Sequence, residues 1–519
     1  MQNYSFLRRF NQFPVAYCPH LFLFLAALAI RFMTLGDPNL EWDEEFYLFG
    51  GGRLLHGHLP YIDFWDRKPI GLFLIYAVFH LFGAYRIIAY QIGALLALWG
   101  TALLVRSMAL MIAPASGALV AALIYEIWPS LAKGEGGQSP IFYNLLVAGA
   151  MYLILDHLRG FQDNDRKYRS NTGIFVMILF GLAIQIKYTV IFEGIFAGIY
   201  LIYTEIRSGY KITAIALDSF IWIFFALLPT IAVFVFYILI GHGHDWIFAN
   251  ISSVFLRTSE GHQVIFGRLI KISRLLAPFF IAMGVNFLFF RKSFSEEQAP
   301  YVAFLGMWAA VAFGAFVVFG TWYIHYILPL LLPFSIQIAP LFYKKFGRNL
   351  AWLIVIIGIV ASQLSIRKTL RHGGKRQFLA LEKSVDYGKS GCIFIYSGPI
   401  ELYDALPYCR LTSHPFPSHF SLQSEEGATG MDPLAEIRAV LAQKPAYIIS
   451  HEPESLRENL NVRKTLYDAI SRSYFKVYTW GSQSDGGSVS VYERRCLGHV
   501  HKRPDPEPCD GDIEETHAG

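Results

Sequence analysis

The chain has 519 residues, of which 54% are hydrophobic and 16% charged, with a formal net charge of +5. That apolar content recurs in blocks long enough to cross hydrocarbon, which makes this an α-helical polytopic membrane protein whose constant partner is the lipid bilayer. The positive balance does not indicate a nucleic-acid partner, because the cationic residues collect in short turns between apolar blocks, the pattern of cytoplasmic loops.

In chain order, Arg8 and Arg9 precede an apolar run over 16–35. Ala27-Leu28-Ala29 is similar to a cleavage site, but Arg31 and further apolar residues follow, so the run reads as an uncleaved signal anchor. Directly after it comes an acidic polar loop containing Trp42-Asp43-Glu44-Glu45-Phe46-Tyr47 and then Asp66-Arg67-Lys68-Pro69. Carboxylates at a bilayer edge are costly and point to chemistry there. The charge-free segment Ile70 to Phe82 falls short of the ~20 residues a span requires, and letting it lie in the interface leaves the basic turns at Arg106, 159–169 and 207–211 on the cytoplasmic side. The predicted spans are 16–35, 87–107, 115–131, 139–158, 172–187, 188–204, 214–240, 268–290, 300–318, 322–342 and 349–366, about eleven transmembrane helices.

This topology gathers isolated ionisable groups on one side. They are Asp43, Glu44, Arg67 and Lys68 in the first loop, Glu135 after the third span, Lys187 at a helix junction, His244, Asp245 and Arg257 in the loop 241–267, and His325. A composite exoplasmic site can be built from them. From residue 367 hydropathy collapses into short strand-like runs, Gly391 to Tyr396 and Ala446 to Ser450, alternating with helical stretches 433–443 and 453–470. Residues 367–500 therefore read as a small C-terminal soluble α/β domain outside the membrane, although the basic run Arg367 to Arg376 pulls the other way. The tail 501–519, rich in Pro, Asp and Glu, reads as disordered. Cys392, Cys409, Cys496 and Cys509 fall in the domain placed in an oxidising compartment, where a Cys392–Cys409 bridge and free buried thiols are both open; Cys18 lies near the cytoplasmic face.

The first loop, Trp42-Asp43-Glu44 with Tyr47, then Gly57-His58-Leu59-Pro60-Tyr61-Ile62-Asp63 and Arg67-Lys68-Pro69, resembles the polyprenyl-phosphate-sugar-dependent GT-C glycosyltransferases. The likeness is to the bacterial relatives of protein mannosyltransferases and of the lipid A aminoarabinose and galacturonic acid transferases, the family 39 type. Gly181-Leu182-Ala183 leading to Lys187, and Trp322-Tyr323-Ile324-His325-Tyr326 with Leu328-Pro329 and Pro333, are similar to later landmarks. The resemblance implies a GT-C catalytic domain over 1–366, with its catalytic loop at 36–86. It also implies inverting transfer of a sugar from a polyprenyl-phosphate donor to a hydroxyl of a membrane lipid or glycan acceptor, such as a lipopolysaccharide component, on the periplasmic side of a bacterial inner membrane. Asp43 matches the family's first-loop carboxylate and is expected to be the general base, a role contributing ~10²–10⁴-fold. Glu44 is expected to orient the acceptor or hold a metal, or else to be a solvated helix start, and Glu45 is read as structural.

Lys68, with Arg67 and Lys187, is the candidate donor-phosphate set; ordinary interfacial snorkelling is disfavoured for Lys68, is the favoured reading of Arg67 and stays open for Lys187. Tyr47, Glu135, His244, Asp245, His325 and Tyr326 are the expected substrate-binding set; a plain polar loop is the other reading of His244-Asp245. No cofactor is required by these residues, and a divalent metal stays open. Two features depart from the family. Gly137-Gln138-Ser139-Pro140 stands where relatives carry an acid, leaving Glu135 as its substitute, and Gly50, Gly51 and Gly52 weaken the helix expected after Asp43. Protein O-mannosyl transfer is the alternative acceptor chemistry. A catalytically silent scaffold and a secondary transporter are the alternatives of other classes.

Overall fold

The computed structural model describes residues 4–159, 166–385, 391–406, 409–482 and 487–495; Cys496, Cys509 and the tail 501–519 lie outside the described residues. Among the described residues, eight helices are long and apolar enough to cross a membrane: Gly83–Ala109, Ser139–Leu158, Tyr188–Arg207, Ile212–Leu239, His262–Ser293, Ala299–Phe319, Ile324–Tyr343 and Lys345–Ser384. Cys18–Thr34, Ile70–His80, Ala115–Leu131 and Arg169–Ile184 are shorter apolar helices. The chain is an integral membrane protein. Each predicted span falls on one of these twelve segments, and Ile70–His80 is the segment left over. At 11 residues it rises only about 16 Å, half the hydrocarbon thickness.

Helix α1 (Tyr4–Arg31) leads into the first loop, which carries α2 (Trp42–Leu55) and α3 (Ile70–His80). The three glycines do not interrupt α2, which is continuous across them. Their role is close approach. A Cβ on Gly51 would stand 2.5 Å from the Ala77 nitrogen and 2.6 Å from the Tyr76 carbonyl carbon, and one on Gly50 would stand 2.5 Å from the Phe73 ring. The loss of helix propensity is offset by seating α2 directly on the α3 backbone. Phe46, Phe49, Phe64 and Phe73 close the seam, with Phe64 and Phe73 edge to face at 5.3 Å.

The last long helix, Lys345–Gly373, continues through the basic run and ends against the first loop. Asn39 Nδ2 donates to the Gly373 carbonyl at 2.8 Å, and the Lys375 amide donates to Asp37 Oδ2 at 2.9 Å. The basic run therefore ends on the same face as the acidic loop.

Beyond it, strands β1 (Ile393–Ile395), β2 (Tyr447–Glu452), β3 (Tyr474–Ser482) and β4 (Gly487–Arg494) form a mixed sheet in the order β1-β2-β4-β3, with β1 and β2 parallel and the other pairs antiparallel. Side chains alternate between faces. Phe394, Ile448 and Tyr492 pack under the helices Pro433–Ala442 and Leu460–Ser473, while Ile393, Ile395, Ile449 and Val491 join the core of the membrane part. Both faces are buried, which explains why β1 and β2 read as continuous apolar runs. The helix expected from 453 begins seven residues later, because Asn459 caps it by accepting from the Asn461 and Val462 amides. Cys392 and Cys409 are joined by a disulfide, their Cα atoms 5.4 Å apart, and Cys18 is free and exposed.

Candidate functional site

Three consecutive acids occupy the first turn of α2, where free amides favour negative charge. They point three ways. Asp43 is half-buried and accepts from Gln138 Nε2 at 3.3 Å. Burial works against its charge, but Lys68, the Gln138 bond and Lys187 outweigh it and hold the carboxyl below the usual range. Glu44 is buried against Gly136 and Gly137, where a Cβ on Gly136 would collide with its carboxylate. Burial pushes it up to about 8, with Glu135 and Glu41 adding, so near neutrality it is uncharged. Glu45 is also buried, and its Oε2 accepts the Ile400 and Glu401 amides at 2.6 and 3.1 Å. It joins α2 to the C-terminal unit.

The loop after Ala115–Leu131 is drawn in by Arg31, whose guanidinium donates to the Gly134 carbonyl and, at 3.1 Å, to that of Gly136. Lys133 pairs with Glu41 at 2.6 Å. Glu135 is buried here and raised to about 7 by that burial. It therefore sits beside Glu44, while the side chain from this loop that reaches Asp43 is Gln138.

The Arg67-Lys68 backbone is pinned by two phenols. The Tyr188 hydroxyl donates to the Arg67 carbonyl at 2.6 Å, and that of Tyr61 to the Lys68 carbonyl at 2.8 Å. Pro69, with ψ 148°, turns the chain into α3. The Lys68 amide bonds Asp66 Oδ1 at 2.8 Å, and its Nζ lies 3.8 Å from the same oxygen and 5.3 Å from the Tyr47 ring centroid. Burial would lower Lys68, yet Asp66, Tyr47 and Asp43 together raise it, so it stays cationic. Lys187 lies in the break between two helices, its Nζ 4.2 Å over the Tyr326 ring. Burial, then Lys68, depress it to about 7. His325 packs between Tyr323 and Tyr326 at 5.7 and 4.7 Å.

A cavity of about 300 Å³ is walled by Arg67, Lys68, Lys187, Tyr188, Arg257 and Tyr323, among others. Asp43 does not line it, but lies close enough to Lys68 and Lys187 for both charges to act on it. A smaller space of about 40 Å³ shares Lys187, Thr189, Phe319 and Tyr326 and continues between apolar walls such as Ala312, Phe316 and Leu330. The structure thus brings together Asp43, Glu44, Tyr47, Arg67, Lys68, Glu135, Lys187, His325 and Tyr326. It places the other two apart: Asp245 bonds His242 at 2.7 Å and His244 is exposed. Among the described residues no group of three His, Cys, Asp or Glu side chains is arranged to hold a metal ion.

Arg257, one of the ionisable groups expected on this face, also contributes, as do Gln138, Asp66, Tyr188 and Glu425, which carried no expected role. Asp66 is legible two positions before Lys68, whereas Glu425, 358 positions from its partner Arg67, leaves no local signal.

No family model matches the chain, and no curated protein matches it. Among solved structures it is similar to ArnT from Cupriavidus metallidurans bound to undecaprenyl phosphate, with a TM-score of 0.53 at 13% identity over 91% of this chain and 97% of that one. The fold is that of the GT-C transferases. The apo oligosaccharyltransferase of Archaeoglobus fulgidus also matches, with a TM-score of 0.48 at 11% identity over 84% of this chain and 69% of that one. With the GT-C fold, the first loop and the loops at 128–138, 185–190, 241–268 and 320–327 meet at one face, and the C-terminal unit covers it through Phe46–Phe416, Trp65–His414 and Arg67–Glu425 contacts.

Proposed function

We propose that the chain is an inverting membrane glycosyltransferase that moves a sugar from a polyprenyl-phosphate donor to an acceptor hydroxyl, with its site on the exoplasmic face. The observation that carries this reading is the Asp43 carboxylate next to the cavity walled by Arg67, Lys68, Lys187 and Arg257, close enough to both lysines for their charges to act on it. The shared fold with a protein captured with undecaprenyl phosphate supports the donor class.

In the proposed reaction the acceptor oxygen attacks the anomeric carbon while the bond from that carbon to the phosphate oxygen breaks. Asp43 takes the hydroxyl proton, and the bonding pair leaves with the phosphate. The donor is a phosphodiester and the product a phosphomonoester, so one negative charge develops on the leaving side. Lys68, Lys187, Arg67 and Arg257 are placed to stabilise that charge more strongly than the ground state. Glu44, raised by burial to about 8, adds no second anion against Asp43 near neutrality. The narrower space beyond Lys187 has an apolar wall of Ala312, Phe316 and Leu330 that suits the start of a prenyl chain, and Glu193 and Tyr143 line it as well. Tyr47 and Tyr326 stand under the two lysines, and the His325 ring packs against Tyr326.

The acceptor in this reading is a lipid-linked glycan such as a lipopolysaccharide component at a bacterial inner membrane, with a protein hydroxyl as the other acceptor. Residues 1–366 form the catalytic membrane domain and 367–500 its exoplasmic α/β cover. The test is transfer from a panel of polyprenyl-phosphate sugars to a membrane glycolipid extract, read by mass, with wild type and Asp43→Asn held in lipid nanodiscs. Wild type is expected to transfer, and Asp43→Asn to lose ~10²-fold or more. Equal transfer by both removes Asp43 as the base.

A further inference from the structure

We propose that Glu425, carried by the C-terminal α/β unit, is a positioning residue of the donor-phosphate site that holds Arg67 and Arg257 side by side with their remaining N–H groups turned to the cavity. The inference rests on the donor reading above and gives the α/β unit a part in it.

Each oxygen of Glu425 takes one guanidinium: Oε2 lies 2.8 Å from Arg67 Nη2, and Oε1 lies 3.0 Å from Arg257 Nε. Both arginines wall the cavity, whereas Glu425 does not. It stands behind them, so it supports the anion site without competing for it. The carboxylate is itself fixed. Its side chain is 4% exposed, its amide donates to the Leu422 carbonyl at 3.1 Å, and its carbonyl accepts from Ala428 at 3.0 Å. One residue earlier, the Ser424 carbonyl accepts the Thr258 amide at 3.3 Å, tying this turn to the chain next to Arg257. Burial would raise the Glu425 carboxyl, but Arg67 and Arg257 hold it below the usual range.

Aromatic faces complete the placement. Arg67 lies 5.2 Å from the Trp65 centroid, and Arg257 lies 5.2 Å from that of Tyr323 while donating to its hydroxyl at 2.6 Å. A guanidinium offers five N–H donors in a rigid fork. Glu425, Tyr323, Ser253 Oγ and the Ala428 carbonyl engage five of the ten, which leaves the other five for phosphate oxygens. The charge arithmetic agrees: Glu425 between two guanidiniums relieves their repulsion, Glu260 in the cavity wall is paired with Arg268 and Arg457, and Lys68 and Lys187 keep the wall net positive.

The experiment measures undecaprenyl phosphate binding to the full chain in nanodiscs for wild type, Glu425→Gln, Glu425→Asp, and Glu425→Gln added to an Arg67→Ala/Arg257→Ala background. A glutamine keeps one acceptor oxygen and presents an amide that repels the second guanidinium. It is expected to raise the dissociation constant about tenfold, the scale of one charge-assisted hydrogen bond. Glu425→Asp keeps the charge and is expected to bind better than Glu425→Gln; if Glu425→Gln does not fold, an aspartate variant weaker than wild type still supports the proposal, and one equal to it overturns it. In the arginine-free background Glu425→Gln is expected to change nothing, because it acts only through those side chains. Binding that is unchanged or tighter in Glu425→Gln, or an equal loss in the arginine-free background, overturns the positioning role while the donor reading stands. A wild type that does not bind undecaprenyl phosphate defeats the donor reading itself.

Discussion

Three adjacent carboxylates leave the start of α2 in different directions because each helical residue turns by about 100°. That rotation gives Asp43, Glu44 and Glu45 separate environments, one ionised, one neutral, one bonded to the Ile400 and Glu401 amides. The pair Asp43 and Lys68 was legible because both are charges that a bilayer edge tolerates only with a purpose. Glu44 was legible as a candidate and not in its state, which depends on burial by a loop more than ninety residues away in sequence. Lys187 allows the sharpest test at this scale. Its ammonium is depressed to about 7, so the free protein carries the charge below that pH and loses it above, while a bound phosphate favours the charged form. Donor KM is therefore expected to rise as pH increases from 6 to 9, and Lys187→Arg, cationic throughout, to flatten that profile. A wild-type KM that is flat over the same range removes Lys187 from the phosphate site.

At the scale of elements, α2 and α3 show where local propensity misleads. Three glycines in a row lower the expectation of a helix, yet the helix runs through them because the neighbouring α3 backbone needs the space. A single sequence shows the glycines and not the neighbour that requires them. The short α3 was readable, because the apolar segment Ile70 to Phe82 falls short of a span and the positive turns around it constrain the rest. Gly51→Ala tests the packing. Its Cβ would meet backbone atoms of Tyr76 and Ala77, which cannot rotate away, so a loss of about 1–3 kcal/mol is expected in thermal unfolding followed by tryptophan fluorescence. Gly267→Ala, where nothing lies within 4 Å, is expected to leave the transition in place. Equal behaviour of the two variants would mean that α2 does not depend on that close approach.

For the whole molecule, the long-range order follows from which loops share a face. The basic run after residue 366 argued for the cytoplasm, but its end is bonded to Asp37 and Asn39 of the acidic loop, and the α/β unit packs on that same loop through Glu45, Trp65 and Arg67. Contacts fix the α/β unit and the first loop to one side. Hydropathy assigned them there separately, from an odd number of crossings, and the Cys392–Cys409 disulfide is the bond expected of an oxidising compartment. Which side this is can be read with a single cysteine. Leu456 is 88% exposed on the α/β unit, so Leu456→Cys, in a background with Cys18→Ser, Cys496→Ser and Cys509→Ser, presents one reactive thiol. In intact cells an impermeant maleimide is expected to label it from outside. Labelling only after permeabilisation would put the α/β unit, the first loop and Asp43 in the cytoplasm together, and the proposed exoplasmic acceptor would have to be abandoned with them.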